Sequence, residues 1–208
     1  MTGDALPTPE ARARIARAVA RAEGGTAGEI VVVLSARAGQ YRSVVLLAGL
    51  VGGLALPWPL IALTPWSASA ILVAQAGLVA AILAAGLYEP LRVALVPARI
   101  RRARTREAAR LAFWSRGLSR TRGRTGVLLY LSMAERHAEI VADDGVLARI
   151  GPDSWSATLS ELLAALRAGE VEGGLVRAVD CIGADLARHL PAGPDDPDEL
   201  PNRVIVVD

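Results

Sequence analysis

The chain has 208 residues, with 23 basic side chains against 21 acidic ones, and every basic residue is Arg. The absence of Lys excludes a phosphate-loop lysine, a Schiff-base lysine and a lysine general base. One Cys and two His exclude a Cys/His zinc site and an internal disulfide, and a hydrophobic fraction of 52% excludes a disordered chain.

In chain order, Thr8 to Glu23 is Ala/Arg-rich with Ile15 and Val19 four apart, which predicts a helix opened by Thr8-Pro9 and stopped at Gly24-Gly25. The β-branched run Glu29–Ser35 predicts a buried strand. From Ser43 to Tyr88, 46 consecutive residues carry no Asp, Glu, Arg, Lys or His. A membrane helix needs roughly 20 apolar residues, so this stretch fits two spans and a tight turn. The expected helices are Ser43–Leu63 and Ala68–Tyr88, with Pro57, Pro59, Thr64, Pro65 and Ser67 as turn signals. Tyr41 and Tyr88 at one end and Trp58 and Trp66 at the other match interfacial belts. Gly49 and Gly53 on the first helix, and Gly77, Ala81 and Ala85 on the second, suit close helix contact.

Beyond the hairpin, Pro97 to Arg116 predicts a basic amphipathic helix with Ile100, Ala103, Leu111 and Trp114 on its apolar side. Gly126–Ser132 predicts a second buried strand, and His137–Asp143 alternates as a third. Asp153-Ser154 is expected to cap a helix carrying Trp155, Leu159, Leu162, Leu163 and Leu166. A last helix is expected over about 171–190, followed by an acidic, Pro-rich tail ending in an edge strand at Val204–Val207. Cys181 reads as a small buried hydrophobe, His137 as a surface residue, and His189 as a complement to a helix dipole.

Charge is segregated along the chain. Residues 89–124 hold 11 Arg against two acids, whereas residues 125–208 hold six Arg against 15 acids. The collar of Arg99, Arg101, Arg102, Arg104 and Arg106 follows the hairpin, Arg37 and Arg42 precede it, and the turn carries no charge. The positive-inside rule then puts both termini in the cytoplasm, as a multi-pass protein of a bacterial inner (plasma) membrane. Anionic lipid headgroups are the expected partner of the collar, a protein partner is open, and no nucleic acid is expected.

Two strands joined through a helix should be parallel, and two joined by about four residues antiparallel. The expected fold is therefore α/β: a small mixed β-sheet with packed helices, interrupted by a two-helix transmembrane hairpin. Its parts are residues 1–42 (helix and first strand), 43–88 (hairpin), 89–190 (basic helix and remainder of the domain) and 191–208 (tail).

The sequence of Gly28-Glu29-Ile-Val-Val-Val, Ala108 to Phe113, Arg120-Thr-Arg-Gly-Arg-Thr-Gly126, Glu135-Arg136, Glu139 to Gly145 and Glu199-Leu-Pro-Asn-Arg203 resembles the TPM domain family, in its membrane-inserted branch. Related soluble domains, including thylakoid-lumen members tied to photosystem repair, have been described as acid-phosphatase-like or calcium-binding. The resemblance implies a site for a divalent cation, calcium or magnesium, or for phosphate. The expected topology brings the starts of the first two strands and the end of the third to one sheet edge. Glu29, Asp143 and Asp144 are then the candidate metal ligands, and Arg122, Arg124 and Thr125 the candidate phosphate-binding residues. The structural alternative pairs Glu29 with Arg124 and has Asp143 or Asp144 cap the following helix. No catalytic residue is assigned. Two functions stay open: a membrane-anchored interaction or assembly module, and a metal-assisted phosphatase-like hydrolase at the inner membrane surface.

Overall fold

In the computed structural model, which describes residues 6–94, 96–151, 153–193, 199–200 and 203–207, the run Glu29–Ser35 forms strand β1, buried along its whole length. β1 lies inside a four-stranded sheet between β2 (Gly126–Ser132) and β4 (Val204–Val207), with β3 (His137–Ala142) on the far side of β2. It pairs in parallel with both neighbours, Glu29 opposite Gly126 and Val32 opposite Val204. β2 and β3 are antiparallel, with Val127 opposite Ala142. A strand flanked on both sides and covered on both faces needs apolar residues at every position, which explains the unbroken run.

The chain divides into two compact units, residues 1–38 with 102–208, and residues 39–101. In the first, alternate side chains of the sheet feed two cores. Ile30, Val32, Leu34, Leu129 and Leu131 meet a layer built from α1 (Pro9–Glu23), α8 (Ser156–Arg167) and α9 (Val171–His189). Val31, Val33, Leu128 and Tyr130 meet Ala109 and Phe113 of α6 (Ala98–Ser115). Thr8 caps α1 by accepting from Ala11 N at 3.3 Å, and Arg14 reaches across to Glu172 of α9, Nη2 to Oε2 at 2.7 Å.

Three expectations for this unit are corrected. The buried side of α6 is Thr105, Ala109 and Phe113, while Leu111 and Trp114 are 65% and 64% exposed. Residues four apart share one face of a helix, and on α6 it is the face of Ala109 and Phe113 that packs on the sheet. Asp153 and Ser154 give α8 no side-chain cap: Trp155 holds that position, and Ser154 Oγ donates to Ile150 O. Cys181 is exposed, because the inward face of α9 is taken by Leu175, Ala178, Val179, Ile182 and Leu186. His189 sits in the last turn of α9 as expected, its Nδ1 2.9 Å from Asp185 O.

The second unit contains α2 (Arg42–Ala55), α3 (Pro57–Leu63), α4 (Ala68–Leu87) and α5 (Glu89–Ala94). The expected first span is divided at Leu56. Leu56 keeps helical geometry and bonds to Gly52 O, but Pro57 has no N–H with which to continue the ladder. Residues Arg42–Leu63 and Ala68–Leu87 are each long and apolar enough to cross a membrane. The turn is Thr64–Ser67, where Ser67 caps α4 by accepting from Ala70 N at 3.3 Å. Gly49 and Gly53 are buried against Ile82 and Val79. A Cβ added at Gly77 would meet nothing within 4 Å, and the close approach on α4 is instead at Gly86, against Val45. Tyr41 is buried and so is not part of an outward belt, whereas Tyr88, Trp58 and Trp66 are exposed.

Candidate functional site

The N-terminal edge of the parallel strands gathers the expected residues through the backbone. Glu29 N donates to Thr125 O at 3.2 Å, and Asp143 N donates to Gly126 O at 2.9 Å. The side chains then separate into two groups. Arg124 binds both aspartates, with Nε 3.2 Å from Asp143 Oδ1 and Nη2 3.0 Å from both Asp143 Oδ1 and Asp144 Oδ2. These partners hold the guanidinium above its ordinary pKa. Asp143 also caps α7 (Asp144–Ile150), its Oδ1 accepting from Asp144 N at 2.7 Å. Glu29, 8% exposed, instead receives Glu199 N on Oε1 at 2.9 Å.

The loop between Thr121 and Thr125 is tightly held. Arg124 has a φ of 51°, a left-handed conformation that costs a non-Gly residue about 1–3 kcal/mol. The ion pairs to Asp143 and Asp144 and the bond from Arg124 N to Thr121 O at 3.0 Å fix that conformation. Thr121 Oγ1 accepts from Thr125 N at 3.0 Å. Gly145 packs directly beneath the loop: a Cβ there would stand 2.4 Å from Gly123 O and 2.6 Å from Arg124 O.

Calcium takes roughly six to eight oxygen ligands. Here the Arg124 guanidinium fills the space between Asp143 and Asp144, and among the described residues no group of three or more His, Cys, Asp or Glu is placed to hold a metal ion. One oxygen, Asp143 Oδ2, is buried with no hydrogen-bond partner among the described residues. As arranged, this donor set does not fit a calcium or magnesium ion. Of the candidate phosphate-binding groups, Arg122 N is 3.1 Å from Glu199 Oε2 and Thr125 N is satisfied by Thr121. The amides of Arg122, Arg124 and Thr125 therefore already bind oxygens of the chain itself. Glu199 is the residue that sequence reasoning missed here. It lies in the closing Glu-Leu-Pro-Asn-Arg motif, but nothing local shows that it folds back onto Glu29 and Arg122.

A second polar group stands at the opposite end of β1 and β2. Ser35 and Ser132 lie in register, both fully buried, and Ser132 Oγ donates to Glu135 Oε2. Glu135 Oε2 also accepts from Ala38 N at 3.0 Å. Burial raises the Tyr130 phenol, opposed by its hydrogen bond with Ser35. These bonds close the turn into β3. His137, half-buried, lies there with Nε2 3.2 Å from Glu139 Oε1. A groove of about 540 Å³ runs beside β3, lined among others by Arg106, Arg110, Trp155 and Leu159.

The collar arginines all lie on α6. Arg106 approaches Glu139 at 3.7 Å, Arg104 bonds Glu107 at 2.9 Å, and Arg99 and Arg102 are exposed.

The architecture is that of a mixed α/β domain with helices on both faces of a four-stranded sheet. The TPM domain family model matches residues 89–185, from α5 into α9. The chain is also similar in fold to the BA42 protein of the psychrophilic bacterium Bizionia argentinensis. The two share 20% identity over 97% of this chain and 96% of that one, with a TM-score of 0.61. No curated protein matches the chain.

Proposed function

We propose that the chain is a membrane-anchored protein in which α2, α3 and α4 cross the inner membrane of a bacterium and a TPM-like domain serves on the cytoplasmic side as an interaction or assembly module. The observation that carries the reading is the outward face of the hairpin. Leu46, Leu47, Leu50, Leu54, Leu72 and Val73 are each more than half exposed, an arrangement favourable in hydrocarbon and costly in water. Eight arginines between Arg37 and Arg106 flank an uncharged turn, which supports cytoplasmic termini. Each collar arginine near an anionic leaflet contributes about 1 kcal/mol of attraction. A protein partner fits the domain's sparse inventory of catalytic groups, and no nucleic acid is invoked because no recognition module accompanies the arginines.

Cysteine labelling tests the topology. In a Cys181→Ser background, Ser67→Cys is expected to react with an impermeant maleimide in intact cells. Ala192→Cys should react only after permeabilisation. Labelling of Ala192→Cys from outside would sink the orientation.

The alternative is a metal-assisted phosphatase-like hydrolase at the same surface, with Glu29, Asp143 and Asp144 toward the cation and Arg122, Arg124 and Thr125 toward phosphate. Its support is the buried, unpartnered Asp143 Oδ2. It requires Arg124 to leave the two aspartates before a cation enters. Thermal melting of the full chain with calcium or magnesium, wild type against Asp143→Asn, separates the readings. A metal-dependent rise that Asp143→Asn abolishes would favour the hydrolase.

A further inference from the structure

The outer side of α6 is apolar where a solvent-facing helix would be polar. Ala109 is fully buried and Leu111 is 65% exposed, yet they are two residues apart, about 200° around the helix. The same offset separates Leu111 from buried Phe113. The face turned away from the sheet therefore carries Ile100, Ala103, Leu111 and Trp114, all exposed. Its one acid, Glu107, is paired with Arg104. Trp114 meets Phe113 edge-on, with ring centroids 5.9 Å apart at 87°. The residue that plugs the core thus steadies an indole that points out of it.

Two observations select what covers this face. The first is charge: α6 holds one acid among its arginines, and Arg99, Arg104 and Arg110 border the apolar stripe. The surface it meets is therefore anionic. The second is continuity, because α6 begins a short connection after α4, one of the two helices able to cross a membrane. Arginine, leucine and tryptophan arranged in this way are the composition of helices that lie in a membrane interface.

We propose that α6 lies in the plane of the inner leaflet of an anionic bilayer. Leu111 and Trp114 sink to the boundary between headgroups and acyl chains, and the bordering guanidiniums rest on lipid phosphates. This rests on the membrane reading given above and adds to it a second, in-plane contact made by the α/β unit itself. In consequence the sheet face bearing Val31, Val33, Leu128 and Tyr130 is turned toward the membrane, with α6 between. α8 and α9 face away from it.

The test uses the full chain in equimolar phosphatidylcholine/phosphatidylglycerol vesicles, with Cys181→Ser and one new cysteine carrying an environment-sensitive fluorophore. Leu111→Cys is expected to be shielded from water and strongly quenched by lipid spin-labelled near the headgroup. Glu161→Cys, exposed on α8, should show neither effect. Leu72→Cys, about 6 Å in from the start of α4, should be quenched by lipid labelled in the acyl chains. Adding Trp114→Glu is expected to release the Leu111 label into water, and as an exposed substitution it leaves the core intact. A Leu111 label as aqueous as the Glu161 label, while Leu72 remains in lipid, overturns the in-plane helix and spares the hairpin. A Leu111 label shielded from water but untouched by any lipid quencher means that protein covers the face, and also overturns it. A Leu72 label outside lipid overturns the hairpin reading.

Discussion

Leucine occupies opposite places in the two units. Leu128, Leu129 and Leu131 of β2 are fully buried, whereas Leu46, Leu50 and Leu54 of α2 are about 60% exposed. In α2 glycine takes the inner place instead, since Gly49 and Gly53 are buried. In the α/β unit large side chains fill the interior, as water demands. In the hairpin the smallest residues make the contact and the largest face out, as hydrocarbon permits. The two units thus bury opposite residue types, and residue type alone does not say which side is inside.

Substitutions sharpen the contrast. Leu129→Ala empties a site in the middle of the sheet and is expected to cost about 2–5 kcal/mol of domain stability, read by urea unfolding of the full chain in detergent. Leu50→Ala removes the same atoms from the outer face of α2 and should leave that unfolding transition within about 0.5 kcal/mol. Equal losses at the two positions would break the contrast. Gly145→Ala drives a Cβ into the carbonyls of Gly123 and Arg124 and is expected to cost about 1–3 kcal/mol in the same assay. Asp143→Asn weakens the α7 cap and the hold on Arg124, at about 0.5–2 kcal/mol, alike with and without calcium if the cluster is structural.

The smallest effect is expected at Glu172. The Arg14 guanidinium holds its carboxyl below the usual range. A lowered folded pKa contributes stability that is present above the unfolded carboxylate pKa and lost as pH falls through the folded value. Glu172→Gln should therefore lower stability slightly at neutral pH and converge with wild type in acid. A gap that widened in acid would contradict the pairing.

The strands were legible nearly to the residue, because β1 and β2 are continuous apolar runs and nothing else fits such runs between turn signals. The orientation of α6 was not. An Ala/Arg-rich helix offers two stripes, and the one with Ile100, Leu111 and Trp114 has more large apolar residues than the one with Thr105, Ala109 and Phe113. The spacing of four from 105 to 109 to 113 was the available signal, since residues at that interval share one face of a helix. At the candidate site, the convergence of Arg124 with Asp143 and Asp144 followed from strand direction. The fold-back of Glu199 onto Glu29 did not, because it depends on where the tail runs in space.

The position of β1 also sets the order of assembly. It is the first of the four strands to leave the ribosome, yet its partners β2 and β4 both come later in the chain, β4 last of the four. All the residues of the two apolar helices are synthesised before β2 exists. Until β4 has been made, β1 has at least one open edge, and such edges are where chains aggregate. The early commitment of the helices and the late closure of the sheet are therefore built into one connectivity, and the nascent chain depends on β4 arriving promptly.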